Sequence, residues 1–354
     1  MKIKDVMKVL EEFAPLPLQE SYDNSGLIVG DKQAEVNKIL ICLDSTEAVI
    51  DEAIAKGCNL IIAHHPIVFA GIKKLTGTNY IQRVIIKAIK NDIAIYAAHT
   101  NLDNVSNGVN AKICEKLGVV KTRILAPKKN LLKRLISFCP GSHVDKVKEA
   151  LFNAGAGKIG EYDECSFSTS GTGTFRPSDK ASPFQGEAGK RSEAGEVKIE
   201  TIYPFYLEKK VLSALWQSHP YEEVAYDIIP LDNKHQLIGS GMIGELNEAM
   251  NEMDFLKMVK KSMKSGCLRY TQLMGKKVKK IAVCGGSGSF LLKDAIASGA
   301  DVFLTADFKY HQFFDAEGQI LIADVGHFES EQFTTEIFYD LLKKNFPTFA
   351  VCLS

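Results

Sequence analysis

The chain has 354 residues, 45% of them hydrophobic, so it can bury a large core and form two or three units of ordinary domain size. Lysine plus arginine number 43 and aspartate plus glutamate also number 43, which gives no overall electrostatic reason to expect nucleic-acid or membrane binding, although a local basic patch would still fit. The eight scattered cysteines, without a Cys-x-x-Cys pair, and the lack of a signal peptide or a long apolar run are typical of a soluble, reduced, cytoplasmic protein.

The first part of the chain alternates strands with helices. It predicts, in order, a strand at 38–43, a helix after Ser45, a strand at 59–63, a helix at 80–90, a strand at 93–98 and a helix at 109–117. Alternation of this kind indicates an α/β fold with a parallel or mixed sheet covered on both faces. Ligands of such folds bind beyond the carboxyl ends of the strands.

A different pattern occupies residues 131–231. It predicts a strand at 134–138, a helix at 142–152, two strands flanking Gly171-Thr172-Gly173, a third strand at 197–203, a helix at 206–217 and a closing strand at 223–229. This is a βαββαβ order with an additional strand, which indicates a ferredoxin-like α+β insert. Residues 166–196 are rich in Gly, Ser and Thr, and we expect a long β-ribbon and loop there.

After residue 278 the alternation of strands and helices returns, with strands predicted at 280–284, 301–305 and 319–323. We therefore expect two related βαβ-type halves, 1–130 and 232–354, that form one metal-binding unit interrupted by the insert at 131–231. The relation between the halves is visible in the sequence, because residues 53–65 match residues 295–307 without a gap.

Each half also carries a strand-like run followed by a histidine with an acid four residues later. These pairs are His99 with Asp103 and His327 with Glu331. A histidine and a carboxylate at this spacing lie on one face of a helical turn, where both can reach one ion. A single copy of the pattern occurs often by chance, whereas two copies in corresponding places predict two half-sites of one polynuclear metal site.

The first half adds adjacent histidines, His64 and His65, where Pro66 ends an apolar strand. Neutral imidazoles are good ligands for zinc, iron, nickel or manganese. By itself the His-His-Pro run also fits a structural turn, and the repeat is what favours the metal interpretation.

Two divalent ions would bring four positive charges, whereas Asp103 and Glu331 supply only two negative charges. We therefore expect an anion to complete the site. Paired ions about 3.5–4 Å apart activate water, and hydrolysis of an anionic substrate is the chemistry that follows.

Four runs of the sequence resemble the signatures of a known family. They are 20–27 (Glu-Ser-Tyr-Asp-Asn-Ser-Gly-Leu), 63–66 (Ala-His-His-Pro), 99–103 (His-Thr-Asn-Leu-Asp) and 326–331 (Gly-His-Phe-Glu-Ser-Glu). They resemble the NIF-three-like dinuclear-metal proteins, also described as GTP cyclohydrolase 1 type 2 homologues. The resemblance extends over essentially the whole chain, because the longer members carry an insert with the runs found here at 155–157 (Gly-Ala-Gly), 171–175 (Gly-Thr-Gly-Thr-Phe) and 219–224 (His-Pro-Tyr-Glu-Glu-Val).

The resemblance implies a toroidal homohexamer with two divalent metal ions per chain, and the ligands it implies are His64, His65, Asp103, His327 and Glu331. It places His99 beside the metals, where that residue would act as an acid, a base or a substrate contact, whereas the internal repeat would make His99 equivalent to His327. The reaction it suggests opens the imidazole ring of GTP and releases formate, with a metal-held hydroxide attacking the carbon between the two nitrogens.

Other features carry weaker signals. Residues 285–289 (Gly-Gly-Ser-Gly-Ser) follow a strand and fit a tight turn better than a phosphate loop. Five residues near the expected crevice could orient ligand histidines or equally serve as caps and loop residues: Asp23, Asp44, Asp307, Asp324 and His311. In the insert, a helix-to-strand boundary explains the His-Pro run at 219–220, and we expect no second active site there.

Two functions remain compatible with the sequence. The first is a metal-dependent hydrolase acting on a nucleotide or another phosphorylated compound. The alternative is a ring-shaped metal-binding or regulatory module without catalysis, which binds protein or nucleic-acid partners; for nucleic acid, it predicts affinity that falls steeply with salt.

Overall fold

The computed structural model describes residues 1–354 as a mixed α/β protein with eleven α-helices and fifteen strands in three sheets. Its residues group into two compact units, one formed by Met1–Ala126 with Leu237–Ser354 and the other by Pro127–Gln236. The domain boundaries expected at 130/131 and 231/232 stay predictions. None of the helices combines the length and apolar composition that crossing a bilayer requires.

The fifteen strands in chain order are β1 (Gly26–Val29), β2 (Ile39–Cys42), β3 (Leu60–Ala63), β4 (Ala94–Ala97), β5 (Val120–Pro127), β6 (Leu132–Pro140), β7 (Ser166–Phe175), β8 (Ser192–Pro204), β9 (Tyr226–Leu231), β10 (Gly239–Asn251), β11 (Arg269–Tyr270), β12 (Lys277–Ser287), β13 (Val302–Ala306), β14 (Leu321–Asp324) and β15 (Val351–Leu353). The eleven α-helices are α1 (Ile3–Phe13), α2 (Glu47–Lys56), α3 (Tyr80–Lys90), α4 (Thr100–Asp103), α5 (Val109–Leu117), α6 (Val144–Asn153), α7 (Glu208–Ser218), α8 (Glu252–Ser262), α9 (Leu292–Ala297), α10 (His327–Glu331) and α11 (Thr334–Asn345). Short 3-10 helices lie at Leu16–Leu18, Gly141–His143, Phe205–Leu207, Ser289–Leu291 and Tyr310–Ala316.

The first unit contains two sheets built on the same plan. In the first sheet, of order β1-β4-β3-β2-β15, strands β2, β3, β4 and β15 are parallel and β1 is antiparallel. In the second, of order β11-β14-β13-β12-β10-β5, strands β12, β13 and β14 are parallel, while β11 and β10 are antiparallel to their neighbours β14 and β12. The two sheets exchange strands along the chain, because β5 joins the second sheet and β15 joins the first.

The internal repeat corresponds to one structural segment: the end of a helix, a turn and a buried strand. Helix α2 begins at the cap residue Thr46, whose side chain accepts a hydrogen bond from the Val49 amide, and it ends at Gly57 with φ 68°. The corresponding Gly299 has φ 70°, a left-handed conformation that glycine adopts without strain. Strands β3 and β13 follow, and every residue of both is buried, as expected for parallel strands covered on both faces.

The second unit has its own sheet and core. The strand order is β7-β8-β6-β9, all neighbours are antiparallel, and side chains of both helices share one apolar cluster with the sheet, including Val147, Leu151, Val211 and Leu215. The expectation of two strands flanking residues 171–173 is wrong, because β7 runs through these residues without a break. Each of them pairs with a residue of β8, so the ladder holds the two glycines extended and there is no additional strand.

Candidate metal centre

The candidate site lies beyond the carboxyl ends of parallel strands from both sheets of the first unit. His64 and His65 directly follow β3, and His99 follows β4 just before the short helix that ends at Asp103. His327 and Glu331 are the first and last residues of α10, which follows β14. The repeat therefore brings chemically similar residues to corresponding strand ends, as the sequence predicts.

All four histidines of the site are oriented by an oxygen acceptor at Nδ1. The acceptors are the carbonyl oxygen of Ala98 for His64 (2.9 Å), Asp44 Oδ1 for His65 (2.8 Å), Asp23 Oδ1 for His99 (2.8 Å) and Asp307 Oδ2 for His327 (2.6 Å). A carbonyl oxygen can only accept, so Nδ1 of His64 carries the hydrogen. Histidines that bind metals are oriented in this way, with Nε2 left for the ion.

The Glu331 carboxylate is the shared centre of the cluster. Its Oε2 lies 3.0 Å from His65 Nε2 and 3.1 Å from His327 Nε2, while its Oε1 lies 3.7 Å from His64 Nε2. The side chain is only 3% exposed. A buried carboxylate that faces three imidazoles could serve as a metal ligand together with them.

Two buried polar atoms of the cluster lack any hydrogen-bond partner. They are His64 Nε2 and Asp103 Oδ1, which lie 3.8 Å apart, and His64 is completely buried. Leaving such groups unpaired costs about 1–3 kcal/mol each. A cation between them would satisfy both atoms, so the residues present fit a metal ion.

Ligand atoms gather into three groups, within each of which they lie no more than 4.8 Å apart. The groups are His65 with His327 and Glu331, His64 with Asp103 and Glu331, and His64 with His65 and His99. The first two share Glu331, and each could hold a metal ion. The third brings His99 into the cluster, with its Nε2 left free by the bond from Nδ1 to Asp23.

Burial and hydrogen bonds shift the pKa values of the histidines and acids of the site. Burial alone would lower the pKa of His65, but hydrogen bonds to Asp44 and Glu331 outweigh burial and raise the pKa to about 10. The hydrogen bond to Glu331 raises the pKa of His327 to about 9. Burial would raise the pKa of Glu331, yet its hydrogen bonds to the histidines hold it well below the usual value. Asp103, raised mainly by burial, has a pKa of about 6.

The five residues with an open interpretation divide into two groups. Asp23, Asp44 and Asp307 each orient a histidine of the cluster. Asp324 instead accepts hydrogen bonds from the backbone amides of Phe308 and Gly326, and His311 packs against Tyr310 and Phe314 on a 3-10 helix. All five lie near strand ends in the sequence pattern, which does not record the direction of a side chain and so could not separate the two groups.

Sequence reasoning missed the residues that support the carboxylates. Gly286 has φ 60°, and a Cβ atom there would lie 2.4 Å from Glu331 Oε1, so glycine lets the backbone pass beside this side chain. The Gly286 amide donates to Ser330 Oγ (2.9 Å), and Asn110 donates from Nδ2 to the Asp103 carbonyl oxygen (3.0 Å). The tight turn expected at 285–289 is wrong, because residues 285–287 are the end of strand β12 and only Gly288 separates them from the 3-10 helix at Ser289–Leu291.

A cavity of about 430 Å³ opens onto the cluster. Its lining includes three aromatic side chains that are at least half exposed, Tyr22, Phe69 and Phe290, and the Phe69 ring lies 5.5 Å from the His99 ring. No lysine or arginine is among its lining residues. The cavity can therefore receive a planar ring by stacking, and the positive charge that it offers to an anion comes from histidines and not from lysine or arginine.

Comparison with known proteins agrees with this architecture. Proteins named GTP cyclohydrolase 1 type 2 homolog from Halalkalibacterium halodurans and Bacillus subtilis are 42% and 40% identical, over 91% and 92% of this chain and 87% and 88% of their own lengths. The crystal structure of a Bacillus cereus protein related to NIF3 is 39% identical with a TM-score of 0.87 and covers 100% of this chain and 96% of that one. The model of the family Duf34/NIF3 (NGG1p interacting factor 3) matches residues 1–354. The chain therefore belongs to the Duf34/NIF3 family.

Proposed function

We propose that this protein is a metal-dependent hydrolase that holds two divalent ions per chain. The ligands would be His64, His65, Asp103, His327 and Glu331, with Glu331 shared between the ions. The observation that carries the proposal is the unpaired, buried couple His64 Nε2 and Asp103 Oδ1, beside a carboxylate that faces three imidazoles. Imidazole and carboxylate ligands suit zinc, iron, manganese or nickel.

Two bound divalent ions would supply an activated water and polarise the group under attack. Around them, Asp23 orients the His99 ring, and His99 Nε2 is free to accept and return a proton. His99 is 13% exposed, so a substrate in the cavity can reach it. We assign to His99 proton transfer and not metal binding.

The substrate class that fits the cavity is a compound with a planar heteroaromatic ring. Tyr22, Phe69 and Phe290 offer faces for stacking, and the metal ions would balance the anionic part of a nucleotide, since no lysine or arginine lines the cavity. The relatives named GTP cyclohydrolase 1 type 2 homolog favour hydrolytic opening of the imidazole ring of GTP, with formate released. A nucleotide or related phosphorylated compound is therefore the proposed substrate.

The alternative is a regulatory module without catalysis, assembled as a homohexamer. The observation that favours it is the separate core of Pro127–Gln236, whose strand order supports a ferredoxin-like domain. In this alternative the ions would be structural or stored, and the insert would bind the regulating partner.

Elemental analysis combined with turnover distinguishes the two functions. Wild-type protein should contain about two metal ions per chain and release formate from GTP or phosphate from a panel of phosphorylated compounds. The double variant His64→Ala, Glu331→Ala should lose both metal and turnover, with His311→Ala, which alters a histidine outside the site, as the matched control. Turnover at the wild-type level in the double variant would exclude the hydrolase, and two ions without any turnover would favour the regulatory module.

The role of His99 has its own test. His99→Gln should retain its metal ions and lose about 100-fold or more in kcat, the range expected when a general acid or base is removed. His311→Gln again serves as control. Loss of metal from His99→Gln would make His99 a ligand, as the internal repeat suggests, and would remove it from proton transfer.

A further inference from the structure

The second unit contains a groove that the proposed function does not use. Two adjoining cavities of about 410 Å³ and 400 Å³ share four lining residues: Gly173, Glu196, Tyr221 and Ala225. They therefore form one groove, which we call the insert groove, and the contact between Tyr221 and Glu196 divides it. All of its lining residues belong to Pro127–Gln236.

Two sequence runs of the insert meet at this groove. Gly171 and Gly173 of the Gly-Thr-Gly-Thr-Phe run line its floor, where β7 presents backbone without side chains. A Cβ atom at residue 173 would lie 2.1 Å from Glu196 Oε2, so the glycine leaves room for the carboxylate above the strand. The His-Pro-Tyr-Glu-Glu-Val run supplies the opposite wall through Tyr221.

Hydrogen bonds fix the wall of the groove. The Tyr221 hydroxyl donates to Glu196 Oε1 at 2.8 Å and accepts from Gln185 Nε2 at 2.9 Å. The Tyr221 amide donates to His219 Nδ1 at 3.2 Å, and His219 Nε2 donates to the Phe138 carbonyl oxygen at 3.0 Å. Burial and the Glu196 carboxylate raise the pKa of Tyr221 to about 12, so the hydroxyl keeps its proton. The ring is thus held in place before any ligand arrives.

The groove is acidic and partly aromatic. Glu196 Oε1 is occupied by Tyr221, while Oε2 receives no hydrogen bond from the protein. Glu222 is held by the Ser182 amide, and Glu223 adds a third carboxylate to the lining. Two basic residues also line the groove: Arg176, whose Nε donates to the Gly189 carbonyl oxygen, and Lys198, which is paired with Glu200. The surplus of negative charge disfavours phosphates and carboxylates as ligands.

Two aromatic rings line the larger cavity together with Glu196. The centres of the Phe184 and Tyr221 rings are 6.0 Å apart with an interplanar angle of 47°, and Phe184 is 51% exposed. Such ring faces attract cations as well as other rings. We propose that the insert groove binds a small organic cation, a protonated amine carried on a planar or apolar body, with the amine on Glu196 and the body against Phe184 and Tyr221.

Three probes that differ in charge test this proposal on the full-length protein. Tyramine carries an amine on a phenol ring, 4-ethylphenol is its neutral analogue and 3-(4-hydroxyphenyl)propionate its anionic one. Calorimetric or ligand-observed NMR titration should give the lowest Kd for tyramine. Glu196→Gln keeps an acceptor for Tyr221 but removes the charge, and it should weaken tyramine binding about tenfold or more.

Gly173→Ala is the second variant, since its methyl group would push the flexible Glu196 side chain aside, and it should weaken tyramine binding in the same way. Glu149→Gln, an exposed change on α6, is the matched control and should leave the Kd unchanged. Equal binding of the three probes, no binding of tyramine at millimolar concentration, or an unchanged Kd in both groove variants would overturn the proposal.

Discussion

At the scale of single residues, the site is defined by which nitrogen of each histidine is already engaged. Nδ1 is bonded in all four rings, to a carbonyl oxygen or to an aspartate. Nε2 of His65 and His327 points at Glu331. Without a metal ion, protons on the Nε2 atoms of His65 and His327 allow these rings to hydrogen-bond to Glu331. A metal ion bound at Nε2 would have to replace the proton.

Metal affinity should therefore rise with pH. Because the pKa of His65 is about 10 and that of His327 about 9, both rings carry an extra proton at pH 7.5 in metal-free protein. A metal ion binds only the neutral ring, so raising the pH removes the competing protons until it passes these pKa values. We expect the Kd for zinc to fall by up to about 100-fold per pH unit between pH 6.5 and 8.5, since two protons are displaced.

Competition with a chelator of known affinity measures this dependence. Calorimetry in two buffers of different ionisation enthalpy should independently count about two protons released at pH 7.5. A Kd that does not change over this range, or binding without proton release, would contradict the assignment of His65 and His327 as ligands.

At the scale of elements, the sequence predicted helices and strands that have a clear local pattern. It did not predict elements whose structure depends on partners far away in the chain. The helices expected at 80–90 and 109–117 have these bounds in α3 and α5, because local signals such as the Asn79 cap and the left-handed Gly118 mark their ends. The glycines of β7 suggested a break, yet pairing with β8 overrides their weak strand propensity. The short strands β11 and β15 have no pattern of their own and exist through their neighbours.

The same division applies to the site. The repeat and the His-His-Pro run identified the residues of the three groups that could hold a metal ion, because strand ends of a parallel sheet are close in space. The orienting aspartates could be named but not separated from Asp324, since the direction of a side chain after a strand depends on turns that the pattern does not record. The role of Gly286 depends on a side chain from another element and had no local signal.

Gly286, near the end of β12, should control metal binding through Glu331. In Gly286→Ala the new methyl group would strain the backbone at φ 60° and collide with Glu331 Oε1, so we expect a clear loss of metal and a stability decrease of about 1–3 kcal/mol. Gly57→Ala is the matched control: Gly57 has φ 68° but nothing within 4 Å of its Cβ position.

Both variants should show similar backbone strain, and only Gly286→Ala should lose metal. Elemental analysis and denaturant unfolding of the two proteins make the comparison. Full metal content in Gly286→Ala, or equal metal loss in Gly57→Ala, would show that the glycine does not act through Glu331.

At the scale of the whole molecule, the strand exchange ties the first unit together. Strand β15 pairs in parallel with β2, with Val351 opposite Ile39, and Cys352 packs against the core of the first sheet. Strand β5 in turn borders β10 in the second sheet. Neither sheet is complete without a strand from the other segment of the chain, so the two halves that the sequence suggests cannot be separated at the insert.

Removal of residues 351–354 should therefore destabilise the first unit. It eliminates β15 and the bond from the Ser354 amide to the Ile41 carbonyl oxygen, and it exposes the edge of β2. We expect a loss of about 2–4 kcal/mol, from a few net hydrogen bonds and their packing, and a lower thermal midpoint. Cys352→Ala keeps the backbone of the strand and should cost less than half as much, and equal stability of truncated and full-length protein would rule out this role for β15.

The exchange of strands also sets an order of events during synthesis. The ribosome releases β2, β3 and β4, with the histidines that follow them, long before β15, which is the parallel neighbour of β2. Throughout translation of the insert and of the second sheet, the β2 edge stays open and Glu331 has not been made. The strands of the insert are contiguous in the chain, whereas the first sheet is complete only when β15 has joined β2. A nascent chain thus carries exposed apolar strands and unfilled imidazoles at the same time, and chaperones have more reason to bind it than its neutral composition alone suggests.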